Sequence, residues 1–153
     1  MVSRIVDQQI RLVKYYPNYK TTISWYQDPD VCKQVDNRDS VYDLETLKAM
    51  YRFLDRHGDL FYIKFENRLC GDVCLRTDGE VCIVIAKPYQ NCRIGRRVMG
   101  EILKLAREKG MEKVYATIYS FNAQSRRMFE SMGFQQTAAE RYEYVLENGR
   151  EEK

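Results

Sequence analysis

The chain has 153 residues with 44% apolar and 31% charged side chains, proportions that exclude a disordered segment and fit one globular core. Its net charge of +3, with basic residues interspersed among acidic ones, excludes the basic stripe of a dedicated nucleic-acid binder. The longest apolar run, Val81-Cys82-Ile83-Val84-Ile85-Ala86, is too short to span a bilayer, and Met1-Val2-Ser3-Arg4 opens no apolar leader, so a cytoplasmic protein without a membrane partner is expected.

In chain order, the apolar residues of Arg4–Val13 predict a first strand, broken at Pro17-Asn18. A short helix is expected over Tyr19–Tyr26, stopping before Asp28-Pro29 because the residue before proline avoids the helical region. Leu44, Leu47, Tyr51 and Leu54 recur at helical spacing, with Ser40 or Asp43 to cap the start and Gly58 to end it. His57 suits the C-terminal end of that helix. Three strands follow, Leu60–Phe65, Leu69–Leu75 and Val81–Ala86, and Asp78-Gly79 makes the last two a hairpin. From Ile94 the period changes: Ile94, Val98, Ile102, Leu105 and Ala106 share one helical face, and Arg96, Arg97, Glu101, Lys104 and Glu108 the other. Gly110 stops this helix, Val114–Tyr119 is a strand, and Asn122 caps a helix facing inward with Ser125, Met128, Phe129 and Met132. One or two strands close the chain over Phe134–Leu146. The order β-α-α-β-β-β-α-β-α-β-β predicts a single α/β domain over 1–153, with helices on both faces of its sheet and a frayed tail at 147–153.

Five cysteines, Cys32, Cys70, Cys74, Cys82 and Cys92, form no Cys-x-x-Cys pair, and with His57 as the lone histidine no metal site is expected. The chemistry concentrates in Val81–Arg107, where a buried strand, a turn and an amphipathic helix follow one another. A helix leaving directly from a turn presents free backbone N–H groups and its positive pole, an anion site to which Arg93, Arg96 and Arg97 add charge. The spacing lacks the glycine patterns of ATP-binding and dinucleotide-binding loops, so it names no particular phosphate, and the arginines of a plain solvated connection look the same.

The run Gln90-Asn91-Cys92-Arg93-Ile94-Gly95 resembles the coenzyme-A signature of the GNAT acetyltransferases, Gln/Arg-x-x-Gly-x-Gly/Ala. Asn122-Ala123-Gln124-Ser125, then Phe129 and Gly133-Phe134, is similar to that family's downstream helix motif. Trp25 with Asp28-Pro29-Asp30-Val31 resembles the branch that includes N-terminal acetyltransferases of ribosomal proteins. The resemblance implies a mixed, largely antiparallel central sheet and acetyl transfer from acetyl-CoA, without metal, to a primary amine by direct attack in a ternary complex. The acceptor would be a peptide or protein N-terminus, a polyamine or an aminoglycoside-like amine, and the protein a monomer or homodimer. It also implies coenzyme contacts from Ile83, Val84 and Ile85, from Gln90, Asn91, Cys92, Arg93, Ile94, Gly95, Arg96 and Arg97, and from Asn122, Ser125 and Phe129. An N–H in Ile83–Ala86 would hold the oxyanion.

Two positions depart from the pattern. Arg93 stands where the signature has its first glycine, and Phe129 stands where many members carry the tyrosine assigned as acid. They leave open an alternative, an acyl-CoA-binding regulatory module with little or no catalysis. For catalysis the resemblance points to Glu80 as base, and to Ser125, one helical turn before Phe129, or Tyr119 as acid. Glu80 beside Asp78-Gly79 equally suits a solvated turn residue.

Overall fold

The computed structural model describes residues 3–146; residues 1–2 and the expected frayed tail at 147–153 lie outside the described residues. The single strand expected over Arg4–Val13 is a hairpin, β1 (Arg4–Ile5) against β2 (Ile10–Lys14). Asp7 makes the turn between them, its Oδ1 accepting from the N–H groups of Gln9 and Ile10 at 2.8 and 2.9 Å. The helix expected over Tyr19–Tyr26 shortens to α1 (Tyr19–Thr22) and a 3-10 turn at Trp25–Gln27.

An unforeseen helix follows, α2 (Pro29–Asp36). Asp28-Pro29 is the expected stop, after Gln27, and is also a start. The Asp28 carboxylate accepts from Asp30 and Val31 N–H at 2.9 and 3.3 Å, and Pro29 takes the first helical position, where a missing N–H costs nothing. In α3 (Leu44–His57), Asp43 caps the N-terminus through Thr46 N–H at 2.8 Å, and Leu47, Tyr51 and Leu54 are buried while Leu44 is exposed.

The remaining elements alternate as expected: β3 (Gly58–Phe65), β4 (Arg68–Arg76), β5 (Val81–Ile85), α4 (Ile94–Glu108), β6 (Lys113–Thr117), α5 (Ala123–Ser131), β7 (Gln135–Ala138) and β8 (Arg141–Val145). Strands β1 to β5 form a five-stranded antiparallel sheet in sequence order, and β6, β8 and β7 form a second of three strands. Among the described residues one parallel bridge, Glu80 to Tyr115, joins the two sheets. The α/β class and the largely antiparallel pairing stand as expected, with the central sheet split at that point.

Helices cover both faces. On one, Ile94, Val98, Ile102 and Leu105 of α4 and Phe129 of α5 pack on Leu12, Phe61, Val73 and Val114. On the other, Leu47, Tyr51 and Leu54 of α3 pack with Trp25, Tyr26, Leu60 and Tyr62. Glu101, expected on the solvent face of α4, is only 8% exposed because β1 lies over it and Arg4 pairs with it at 2.9 Å. In the second core, buried Asp72 of β4 accepts from the hydroxyls of Tyr26 and Tyr51, each at 2.8 Å. Burial pushes the Asp72 carboxyl up to about 6, against the lowering effect of those two donors.

No described helix is long and apolar enough to cross a membrane, and the described residues hold no group of three or more His, Cys, Asp or Glu arranged for a metal ion.

Candidate active site

The site begins with a distortion in β4. Ile63 of β3 faces Gly71, but the next residue, Lys64, faces Leu69, so Cys70 is an extra residue in the ladder. Such a bulge increases the local twist. Beside it the backbones of β4 and β5 come so close that a Cβ on Gly71 would lie 2.1 Å from the Val84 carbonyl oxygen. At the other end of β5, Tyr115 N–H donates to Gly79 O at 2.9 Å, and beyond this point β5 and β6 diverge.

Pairing with β4 decides which groups of β5 face the gap. Arg76 N–H donates to Glu80 O and Ala86 N–H to Cys70 O, which fixes even-numbered residues of β5 toward β4 and turns the amides of Ile83 and Ile85 the other way. The Ile85 carbonyl accepts from Gln90 Nε2 at 2.9 Å. The gap opens into a cleft of about 820 Å³ that joins the two faces of the sheet. Turn Gln90–Arg93 and helices α4 and α5 wall one mouth, and Gln34, Val35 and Asp36 of α2 with Tyr119 wall the other.

At the first mouth the turn bends through two left-handed residues, Asn91 (φ 65°) and Arg93 (φ 63°). Arg93 is the residue immediately before α4, so the chain does require the conformation that glycine supplies in the signature. A non-glycine residue there costs roughly 1–2 kcal/mol. The first intrahelical bond runs from Arg97 N–H to Arg93 O at 3.3 Å, which leaves the amides of Ile94, Gly95 and Arg96 without helical acceptors. A Cβ on Gly95 would meet only Met128 Cε at 3.8 Å, so this glycine is not forced by packing and leaves bare backbone at the cleft wall.

The arginines divide. Arg93 lines the cleft and is exposed, with no ion pair or hydrogen bond from its side chain among the described residues. Arg96 also lines it and donates to Ser131 Oγ. Arg97, expected with them, turns away: its Nη1 donates to Asp7 Oδ2 and Gln9 Oε1, both at 2.9 Å, and holds the β1–β2 hairpin. Cys92 is exposed and outside the cleft lining. Gln90 acts as a bolt, bonded to Ile85 O and to Gln34 of α2 at 3.1 Å, while Asn91 pairs with Gln124. Arg127 was not expected, yet it lines the cleft with Gln124 and Ser131. The 3- and 4-residue steps among these three are a helical stripe that the sequence already contained.

The proposed catalytic residues all line the cleft. Glu80 sits at the fork, where Oε1 accepts from Arg76 at 2.7 Å and Oε2 from Thr117 at 3.2 Å. Asn122 caps α5 by accepting from Ser125 N–H at 3.2 Å. The Ser125 hydroxyl itself has no hydrogen-bond partner among the described residues. Phe129 is 2% exposed and packs edge-on against Phe134, so it forms the cleft floor. Tyr119 stacks on Phe121, and burial foremost, then the carboxylates of Asp36, Glu140 and Glu80, raises its phenol above the usual range. Burial also pushes the Cys82 thiol of β5 up to about 12, which keeps it protonated. Gln34, Val35 and Asp36 are absent from the expected site residues, because the helix that carries them was not expected.

Residues 21–134 match the family model described as the acetyltransferase (GNAT) family. No curated protein matches the sequence significantly. Among solved structures, an acetyltransferase (GNAT family) from Bacillus anthracis superposes with a TM-score of 0.78 at 18% identity, over 92% of this chain and 96% of that one. A Vibrio cholerae spermidine N-acetyltransferase, solved with CoA and spermine, gives 0.79 at 14% identity, over 93% and 98%. A Salmonella typhimurium acetyl transferase that modifies the N-terminal serine of a 50S ribosomal subunit protein gives 0.74 at 8% identity, over 94% and 98%. At these identities the likeness is one of fold.

Proposed function

The chain belongs to the GNAT acetyltransferase family, and from that premise we propose that it transfers an acetyl group from acetyl-CoA to a primary amine within a ternary complex. The observation that carries this reading is the fork: a strand with unpaired amides opens beside a helix N-terminus with unpaired amides, in one continuous cleft.

The residues present fit the coenzyme. The amides of Ile94, Gly95 and Arg96, with the guanidinium groups of Arg93 and Arg127, suit its phosphates. The amides of Ile83 and Ile85 suit the arm between phosphate and thioester, as a strand that finds a partner. Bound acetyl-CoA supplies an activated acyl carbonyl.

The chain's own residues then do three things. An ammonium with a pKa of ~10 must first lose a proton, and Glu80, at the fork, accepts it through water. A β5 amide aimed into the gap stabilises the carbonyl oxygen as charge develops there, an effect worth about 3 kcal/mol in related chemistry. The C–N bond forms as the C–S bond breaks; the departing sulfur takes a proton from Ser125, whose hydroxyl is uncommitted, or from Tyr119, whose phenol is held protonated, and that oxygen regains a proton, through water, from the attacking nitrogen as it becomes the amide.

Melting with excess acetyl-CoA tests the coenzyme site, with ATP and NADH as controls. At ~100 times its dissociation constant the ligand adds about 2.7 kcal/mol, a shift of several degrees for a domain of this size. Thiol release with added amines then tests turnover. A shift without turnover of any amine would favour the binding module that Arg93 and Phe129 raise.

A further inference from the structure

Resting on that acetyltransferase reading, we propose that the acceptor carries a second positive charge beside the nitrogen that is acetylated, and that Asp36 is the residue that selects for it. The two mouths of the cleft carry opposite charge. Arg93, Arg96 and Arg127 line the coenzyme mouth, whereas Asp36 and Glu80 line the other, with Glu140 behind it.

The three carboxylates are not equivalent. Glu80 is ion-paired with Arg76 at 2.7 Å, and Glu140 accepts from Ser120 N–H at 3.1 Å. Asp36 accepts only from the Tyr42 hydroxyl at 3.2 Å and has no ion pair among the described residues. Its cationic neighbours already have partners of their own. Lys33 pairs with Asp39 at 3.4 Å, and Arg38 donates to Ser40 at 3.2 Å and lies over the Tyr42 ring.

Position strengthens the case. Asp36 is the last residue of α2, at the negative pole of the helix, where a carboxylate lowers stability. The helix stop does not use it: Asn37 closes α2 in a left-handed conformation through its own backbone N–H. The fold therefore keeps an unneutralised charge at an unfavourable place that faces the cleft.

The aromatic stack that Tyr119 of this mouth makes with Phe121 already holds a cation of the chain itself, Lys33. Tyr119 and Phe121 stack with rings 5.8 Å apart and 4° from parallel, Phe121 is 48% exposed, and Lys33 Nζ lies 5.4 Å from its ring centre. Aromatic faces attract ammonium groups in this way. The reacting nitrogen cannot be the partner of Asp36 through the reaction, because it gives up its proton and ends as a neutral amide. A second cation on the acceptor can.

The test compares kcat/KM, with acetyl-CoA, for aliphatic diamines of three to five carbons against monoamines of equal length. A second arm compares short peptides whose N-terminal residue is followed by Lys or by Glu. The expected result is a preference of about tenfold for the dicationic member of whichever pair is turned over, weakened by salt. In Asp36→Asn that ratio falls toward one while the melting shift with acetyl-CoA is unchanged. Equal or better use of monoamines and Glu peptides, no turnover of any dication, or an unchanged ratio in Asp36→Asn overturns the assignment and leaves the coenzyme reading standing. Absence of any acetyl-CoA shift removes both.

Discussion

The two mouths of one cleft are built by different means. At the coenzyme mouth the contacts on offer are mainly backbone amides, those of Ile83 and Ile85 on β5 and of Ile94, Gly95 and Arg96 on α4, supplied by one continuous segment. At the acceptor mouth they are side chains, Asp36 from α2, Glu80 from the β4–β5 turn and Tyr119 from beyond β6, brought together by tertiary packing alone. Backbone geometry tolerates many side chains, whereas a constellation of side chains changes with each substitution. The first mouth can accordingly serve a common ligand while the second sets the choice of partner.

The substitution with the largest expected effect strikes what both mouths share. Gly71→Ala would place a Cβ 2.1 Å from Val84 O, backbone against backbone, so β4 and β5 must part. We expect a loss of about 3 kcal/mol or more, seen as a lower urea midpoint, together with weakened acetyl-CoA binding. A near-wild-type midpoint would mean that the close strand approach does not shape the cleft.

The next effect belongs to the acceptor side and its aromatic core. Burial raises the Asp72 carboxyl to about 6 from an ordinary 3.8, so the folded protein holds this proton more tightly than the unfolded chain. The stability this group contributes is fully present below about pH 4 and is lost as pH rises through about 6. Urea unfolding between pH 4 and 7 should show that decline in the wild type and a flatter profile in Asp72→Asn. At the coenzyme mouth, Arg93→Gly separates conformation from charge: relief of the left-handed arginine raises stability by about 1 kcal/mol, while loss of the guanidinium weakens acetyl-CoA binding severalfold. Thermal melting with and without ligand reads both at once.

The smallest effect sharpens the division among the arginines. Arg127→Ala should weaken acetyl-CoA binding a few-fold, whereas Arg97→Ala should leave it nearly unchanged and cost about 1 kcal/mol by freeing the β1–β2 hairpin. Calorimetric titration of both variants distinguishes them, and equal losses would return Arg97 to the phosphates.

What could be read from the sequence follows the same division. The segment from β5 to α5 was legible because its signals are local: an apolar run, a turn, a 3.6-residue period and the Asn122 cap. Arg93 even announced its strain, since it stands at a position whose backbone lies at φ 63°. The fork was not legible, because it depends on a bulge at Cys70 and on the absence of pairing beyond one bridge. The acceptor mouth was legible in part: Glu80 and Tyr119 stand among the expected site residues, but Asp36 does not, since Asp28-Pro29 read only as a stop hides α2. Arg97 looked like a phosphate ligand by spacing, but its partners Asp7 and Gln9 lie 90 and 88 residues away in sequence.

An unpaired strand is ordinarily a liability, because its free amides and carbonyls form a template on which a strand of another molecule can grow. Of the four edge strands among the described residues, the two that meet at the bridge, β5 and β6, are turned inward past Glu80. They face each other across the cleft, α4 and α5 stand over one side, α2 over the other, and the Gln90 amide covers the Ile85 carbonyl. The protein thus keeps strand edges open for a ligand slender enough to enter, and closed to the broad approach of a neighbouring sheet, so that the feature that serves binding does not also seed aggregation.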